Sequence, residues 1–277
     1  LSRFMHPVAA LSAFDLPFLR PAQDAFWGLV RAALAERGVV ETPSKLTRPI
    51  DERRLWTHPA IVLGQLDAYR FAQVFPSTLV AVAAPHYDCR GCEGPCYRAV
   101  VVVRDGDDIQ AWTGLEQRTA AVEGLDHLGS WRLFKAWVQG VADPAAFFGR
   151  VVISGGSVES LSLVRSAAAD YAVVDCVSWQ LVREHLPAVA RGLRVLAETD
   201  PGLAPPFVCS AARVAAEREA VYEAVARVLH TEEGAAICRR LRLKAVEPAG
   251  ILAYDAEPRP VASTVTLLSA ARSQRES

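Results

Sequence analysis

The sequence lacks a charge excess: 30 Lys and Arg stand against 31 Asp and Glu, for a net charge of −1 over 277 residues. That balance leaves no electrostatic footprint for nucleic acid or an anionic membrane, which are bound through basic surfaces. Also missing is any run near the roughly 18 apolar residues of a membrane-spanning helix. The opening Leu1-Ser2-Arg3-Phe4-Met5-His6-Pro7 has neither the charged start, the apolar core nor the cleavage site of a secretory signal. The chain therefore reads as soluble, and as periplasmic or extracytoplasmic only where a leader precedes this numbering; otherwise it is cytoplasmic. Six cysteines, three of them scattered at Cys176, Cys209 and Cys238, do not make a disulfide framework in a chain this long. No internal repeat and no low-complexity run is present. With 51% hydrophobic residues the chain can bury a sizeable core, as one large domain or two lobes.

The densest chemistry lies in residues 84–104. Pro85, Gly91, Gly94 and Pro95 punctuate its first half, which also carries Cys89, Cys92 and Cys96. Its second half is a β-branched run from Tyr97 to Arg104, ended by Asp105-Gly106-Asp107, the pattern of a strand buried on both faces. Another apolar run, residues 78–84, precedes it. The two strands are thus joined by a cysteine-rich connection of about a dozen residues, a length that is usually functional or stapled.

Strands alternate with helices along the rest of the chain. Strand signals at 8–13, 60–66 and 78–84 are separated by a helix at 22–37, closed by Gly38, and shorter helical stretches at 51–57 and 67–75. The pattern restarts after Arg104, with strands at 118–123, 150–154 and 171–175 and helices at 130–140, 157–169 and 178–185. Residues 194–198 and 207–210 read as strands, and two helices at 211–229 and 231–241 follow. Such alternation predicts βαβ units and a mainly parallel sheet. The fold class expected is α/β, two lobes with a ligand cleft between them. Lobe 1 is assigned residues 1–105 and 195–256, lobe 2 residues 106–194, and residues 257–277 a frayed tail.

Four stretches, in order, resemble the type 2 periplasmic-binding-protein fold, and within it the phosphate/phosphite/phosphonate solute-binding family of ABC transporters. They are Phe14-Asp15-Leu16-Pro17, Leu63-Gly64-Gln65, Gly91-Cys92-Glu93-Gly94-Pro95-Cys96-Tyr97-Arg98, and residues 169–179, which hold Asp175, Ser178 and Trp179. The resemblance implies a hinged clamp that binds a small molecule without chemistry, works with an ABC permease, is monomeric, and needs no cofactor or resident metal. It implies ligand contacts from Phe14, Asp15, Gln65, Tyr87 and Tyr97 in the first lobe. In the second they come from Gly129 and Ser130, Ser154, Gly155, Gly156 and Ser157, then Asp175, Ser178 and Trp179. These positions fall at strand ends, where open α/β sheets take ligands.

Two places depart from that family pattern. Glu123 stands where an asparagine is usual, and Leu66-Asp67 where a threonine follows Gln65. A carboxylate near an anion carries a like-charge cost unless a proton or cation intervenes. Asp15, Asp67, Glu123 and Asp175 can instead select an amine-bearing ligand, with Trp179 and the tyrosines stacking on it; the bland alternative turns Asp67 and Glu123 to solvent. Ser154-Gly155-Gly156-Ser157 can hold an anion at a helix N-terminus or serve as an ordinary serine cap. His86, Cys89, Cys92 and Cys96 leave three readings open: a soft-donor metal site, a Cys92–Cys96 or Cys89–Cys96 disulfide, or free thiols. Cys176 reads as a buried small residue or as a nucleophile served by His127. The latter belongs to a second class, a cytosolic enzyme on the same fold, of the menaquinone- or thiamine-precursor-pathway kind. The aromatics Trp131, Phe134 and Trp137 have helical spacing and are expected in the core.

Overall fold

A computed structural model describes residues 6–48, 51–249 and 254. The strands are β1 (Val8–Leu11), β2 (Ile61–Gln65), β3 (Leu79–Tyr87), β4 (Cys96–Tyr97), β5 (Ala99–Arg104), β6 (Ala120–Val122), β7 (Val151–Ile153), β8 (Tyr171–Asp175), β9 (Leu193–Glu198), β10 (Gly202–Leu203), β11 (Phe207–Ser210) and β12 (Leu243–Pro248). The helices are α1 (Arg20–Glu36), α2 (Glu52–Trp56), α3 (Leu133–Val141), α4 (Pro144–Phe147), α5 (Ser157–Arg165), α6 (Cys176–His185), α7 (Pro187–Ala190), α8 (Ala215–Leu229) and α9 (Glu232–Arg240).

The strands form two five-stranded sheets, ordered β1-β2-β11-β3-β12 and β7-β6-β8-β5-β9, and a two-stranded ribbon of β10 with β4. Neither large sheet is mainly parallel, as the alternation had suggested. β11 runs antiparallel to β2 and β3, and β12 antiparallel to β3. In the second sheet β5 runs antiparallel to β8 and β9, while β6 is parallel to β7 and β8. β5 and β11 are each the first strand to join a large sheet after the chain crosses from the other one. The sequence also gives no warning of β12, whose residues are half exposed and alternate weakly.

β5 and β9 both pair in the second sheet, with Val100 opposite Val174 on one side and Glu198 on the other. The sequence reading had put 99–104, and most of 193–198, with the first lobe. Apolar periodicity identifies a doubly covered strand but carries no information on which sheet receives it. Val101, Val102 and Val103 are fully buried, as their unbroken run requires.

The two crossings lie side by side. Gly202 and Leu203 pair with Tyr97 and Cys96, and Ala204 N–H donates to the Pro95 carbonyl at 2.8 Å. One step further on, the buried Thr199 hydroxyl accepts from Ala99 N–H at 3.1 Å and donates to the Asp200 carbonyl, while Arg98 Nη1 donates to the Thr199 carbonyl at 2.7 Å. Backbone polar groups at the crossings are therefore matched strand to strand.

On the first sheet α1 packs against α8 and α9, and α8 against β3 and β12. In the second, α5 and α6 pack on β5 and β8. Trp131, Phe134 and Trp137 are buried as their spacing predicts, in a cluster with Trp112, Phe147, Phe148 and Tyr171. Among the described residues no helix is long and apolar enough to cross a membrane. The predicted tail, 257–277, lies outside the described residues.

Candidate functional site

The carboxyl ends of strands from both sheets face a cleft of about 790 Å³. On the first-sheet side, β1 runs into Phe14, whose φ of +56° is uncommon for a bulky residue. Its ring meets Tyr87 edge-on at 5.2 Å, and the Gln23 side chain donates to its carbonyl. That turn projects Asp15 beside Arg20, whose Nε and Nη2 each donate to it at 3.0 Å, and beside Arg48 Nε at 3.3 Å. The Asp15 charge is thus already matched.

β2 ends in Leu66-Asp67. Asp67 Oδ1 accepts from Tyr69 and Arg70 N–H at 2.9 and 3.2 Å and so starts a π-helical turn, Arg70–Val74. Its other oxygen crosses the cleft to accept Leu128 N–H at 2.8 Å, the first N–H of a second π-helical turn, Leu128–Arg132. Arg70 carries the crossing further: Nη1 ion-pairs Glu52, and Nε lies 3.2 Å from Asp126. Arg132 sits over the Tyr69 ring at 4.0 Å, a third contact between the two turns. Turns of this wide form are frequent at functional sites.

On the second-sheet side, β6 ends at Glu123, which accepts from the Ser157 hydroxyl at 3.3 Å and stands 3.6 Å from His127 Nδ1. β8 ends at Asp175, which caps α6 by accepting Ser178 N–H at 2.7 Å. At the cleft floor a Cβ on Gly129 would lie 2.7 Å from the Tyr97 hydroxyl and 2.8 Å from Asp175 Cβ, so only glycine allows this approach. The neighbouring Ser130 lines the cleft, is 2% exposed, and its hydroxyl has no hydrogen-bond partner. An orphaned buried hydroxyl calls for a partner.

Three carboxyls set the electrostatics. Burial pushes Asp67 up, against the opposing pull of His127 and its N–H donors. Burial likewise raises Glu123, again against His127. Asp175 is pushed up to about 7 by burial, despite its bonds from Ser178 and with Glu123 adding to the rise. The cleft's arginines, Arg20 and Arg70, are each already held by a carboxylate. Two helical N-termini facing the cleft, which elsewhere attract anions, meet the protein's own carboxylates: Asp67 at Leu128, and Asp175 at α6.

Of the residues expected from sequence, the structure brings Phe14, Asp15, Tyr97, Gly129, Ser130, Gly155, Gly156, Ser157, Asp175 and Ser178 to the cleft wall. Gln65 and Tyr87 lie behind it, in a small cavity shared with Gln23 and Phe207. There Gln65 donates to the Tyr87 hydroxyl at 2.8 Å and to the Pro205 carbonyl at 3.1 Å. Ser154 is tied inward, its hydroxyl bonded to the Val122 carbonyl and to Ser160 at 2.7 Å. Trp179 is buried away from the cleft lining, with Arg183 at 5.8 Å from its ring. Asp67 and Glu123, for which solvent was an equal expectation, belong to the cleft. Sequence reasoning missed Glu52, Arg70 and Glu159; nothing in their local pattern separates them from solvated charges.

The His86/Cys array is not gathered. His86 Nε2 lies 3.0 Å from Glu247, and the Cys92 sulfur is 3.5 Å from that of Cys176. Among the described residues no group of three or more His, Cys, Asp and Glu side chains is arranged to hold a metal ion. His127 stands against Glu123 while Cys176 faces Cys92, so the Cys/His pair of the enzyme reading is not assembled.

Solved structures share this architecture. A binding protein component of an ABC phosphonate transporter from Pseudomonas aeruginosa superposes with a TM-score of 0.69 at 12% identity, covering 88% of this chain and 82% of its own. PhnD1 from Prochlorococcus marinus, in complex with methylphosphonate, gives 0.69 at 14% identity over 90% of this chain and 94% of its own. XAC2383 from Xanthomonas citri, bound to chloride ion, gives 0.69 at 12% identity over 87% and 91%. At such identities the likeness is one of fold. A comparison with curated proteins finds no match. A family profile described as "ABC transporter, phosphonate, periplasmic substrate-binding protein" matches residues 62–254, well over half of the chain and both sides of the cleft. The chain therefore belongs to the phosphonate ABC-transporter family of periplasmic substrate-binding proteins.

Proposed function

We propose that this substrate-binding protein clamps a zwitterionic ligand, one end an oxyanion such as a phosphonate and the other an amine, between its two lobes. The observation that carries the amine end is the meeting of Asp67, Glu123 and Asp175 in one cleft, all pushed up by burial. Three carboxyls that resist ionisation for want of solvent gain most from a cation that enters with its own charge. The oxyanion end is supported by the unpartnered Ser130 hydroxyl, with the Gly155–Ser157 turn on the same wall. Departures at Glu123 and Asp67 from the pattern expected of plain phosphate or phosphonate receptors fit the same reading.

The family implies a small-molecule ligand and an ABC permease as partner. The family is one of transport receptors, which supports a binding role without catalysis, and the alternative of catalysis on the same fold gains no support from the family match. We further take the protein to act as a monomer, outside the cytoplasm, with lobes divided at the paired crossings: residues before 98 together with those after 200, and residues 99–199.

The test is a thermal-shift series with phosphate, methylphosphonate, 2-aminoethylphosphonate and a primary alkylamine. A ligand at about 100 times its dissociation constant adds roughly 2.7 kcal/mol to stability. The proposal expects the aminophosphonate to raise the midpoint most. Equal shifts with methylphosphonate and 2-aminoethylphosphonate would remove the amine end of the reading, and a shift with the alkylamine alone would remove the oxyanion end.

A further inference from the structure

Three cysteines converge outside the cleft. Cys92 lies between Cys89, to which its thiol is hydrogen-bonded, and Cys176, whose sulfur is 3.5 Å away. Cys89 and Cys92 sit in the connection between β3 and β4 and are part-exposed, whereas Cys176 opens α6 and is 2% exposed. Gly91 sets the approach. It has a φ of +92°, and a Cβ there would lie 3.1 Å from Cys176 Cβ and 3.2 Å from its sulfur, so a side chain would force the loop off the helix. Cys96, the disulfide partner in one of the three readings of the sequence, closes a tight turn with Glu93 through two backbone bonds of 3.0 Å. Cys209 lies in β11 and Cys238 in α9, both buried.

We propose that Cys92 and Cys176 are a thiol–disulfide site, oxidised by a low-molecular-weight disulfide and reopened by a dithiol. In the first step a Cys92 thiolate, its proton lost to solvent, attacks one sulfur of the external disulfide. A mixed disulfide forms and one external thiolate leaves. In the second step Cys176 loses its proton to solvent and attacks the Cys92 sulfur, the second external thiolate leaves, and both leaving groups take up protons. Two protein thiols become one disulfide while the external disulfide becomes two thiols. The neighbouring Cys176 and then Cys89 thiols push the Cys92 thiol up, so its thiolate is scarce and exchange is slow.

The bond reaches across the β4 crossing. Cys92 precedes β4, whereas Cys176 belongs to α6, whose first turn presents Asp175 and Ser178 to the cleft. Oxidation therefore fastens one cleft wall to the connecting loop and cross-links residues 84 apart in sequence, which restricts the unfolded chain strongly.

The experiment incubates the full chain with oxidised glutathione, blocks remaining thiols with N-ethylmaleimide, and maps peptides without reduction. Expected are a linked Cys92/Cys176 peptide, a fall of two in the thiols titrated in denaturant from the six present, and a higher thermal midpoint, all reversed by dithiothreitol. Cys176→Ser abolishes the link and the rise in midpoint, and Cys96→Ser leaves both. A dominant Cys89–Cys92 or Cys92–Cys96 link, a stable glutathione adduct, or six thiols retained in protein with native circular dichroism would each overturn the proposal. The Cys96→Ser arm and the mapping of unmodified protein decide the matter even if Cys176→Ser does not fold.

Discussion

Asp175→Asn should change how stability depends on pH, and the structure sets the size. The Asp175 carboxyl rises on folding from an ordinary 3.8 to about 7, chiefly through burial. Between those values the unfolded chain has lost this proton while the native protein keeps it. The native state then binds more protons, so this group makes stability fall as pH rises from about 4 to 7, with no further change above. Three pKa units at 1.36 kcal/mol each put the penalty at about 4 kcal/mol by pH 8. Asparagine has no proton to lose and caps a helix as well as aspartate does, so the Ser178 N–H keeps an acceptor. Urea denaturation of both proteins at pH 4, 6 and 8, in phosphate-free buffer, should show near-equal stability at pH 4 and an advantage of up to about 4 kcal/mol for Asp175→Asn at pH 8. A difference that does not vary with pH, or a variant weaker than the parent at pH 8, would refute the burial argument. It would also take from the cleft one of the carboxyls on which the amine subsite is built.

Ser130→Ala removes a buried hydroxyl that has no partner in the free protein, so the midpoint without ligand should hold or rise. Affinity for a phosphonate ligand should drop by about 1 kcal/mol, roughly fivefold, as read by calorimetry. Thr199→Val keeps the shape at the crossing but strands the buried Ala99 N–H, which should cost about 1–3 kcal/mol in urea denaturation. Gly129→Ala places a methyl 2.7 Å from the Tyr97 hydroxyl. It should lower stability by about 1–3 kcal/mol and reduce ligand-induced midpoint shifts, since it fills the cleft floor.

Much of this protein is legible from local pattern. The valine run of 99–104, the sharp strand end at Asp175 and the aromatic face of 131–137 each follow from the period of buried side chains. The order of short motifs at strand ends was enough to indicate the family and to point at Phe14, Gly129, Ser130, Ser157 and Asp175, because a strand end in an open sheet faces the ligand side whatever else surrounds it. Other features depended on partners distant in the chain. β5 could enter either sheet until β8 and β9 flanked it. Gln65 satisfies its amide on Tyr87 and Pro205 and so turns behind the cleft, and Trp179 packs away from it. Asp67 turns inward because an N–H from the opposite lobe is there to meet it. Cys92, three residues from Cys89 and four from Cys96, also meets the sulfur of the distant Cys176, at 3.5 Å. Sequence alone determined which strongly apolar segments are buried and where their strands end, since those depend on neighbours along the chain. Tertiary structure decided which sheet a strand joins and which way a polar side chain turns, since those depend on hydrogen-bond and packing partners that only folding brings within reach.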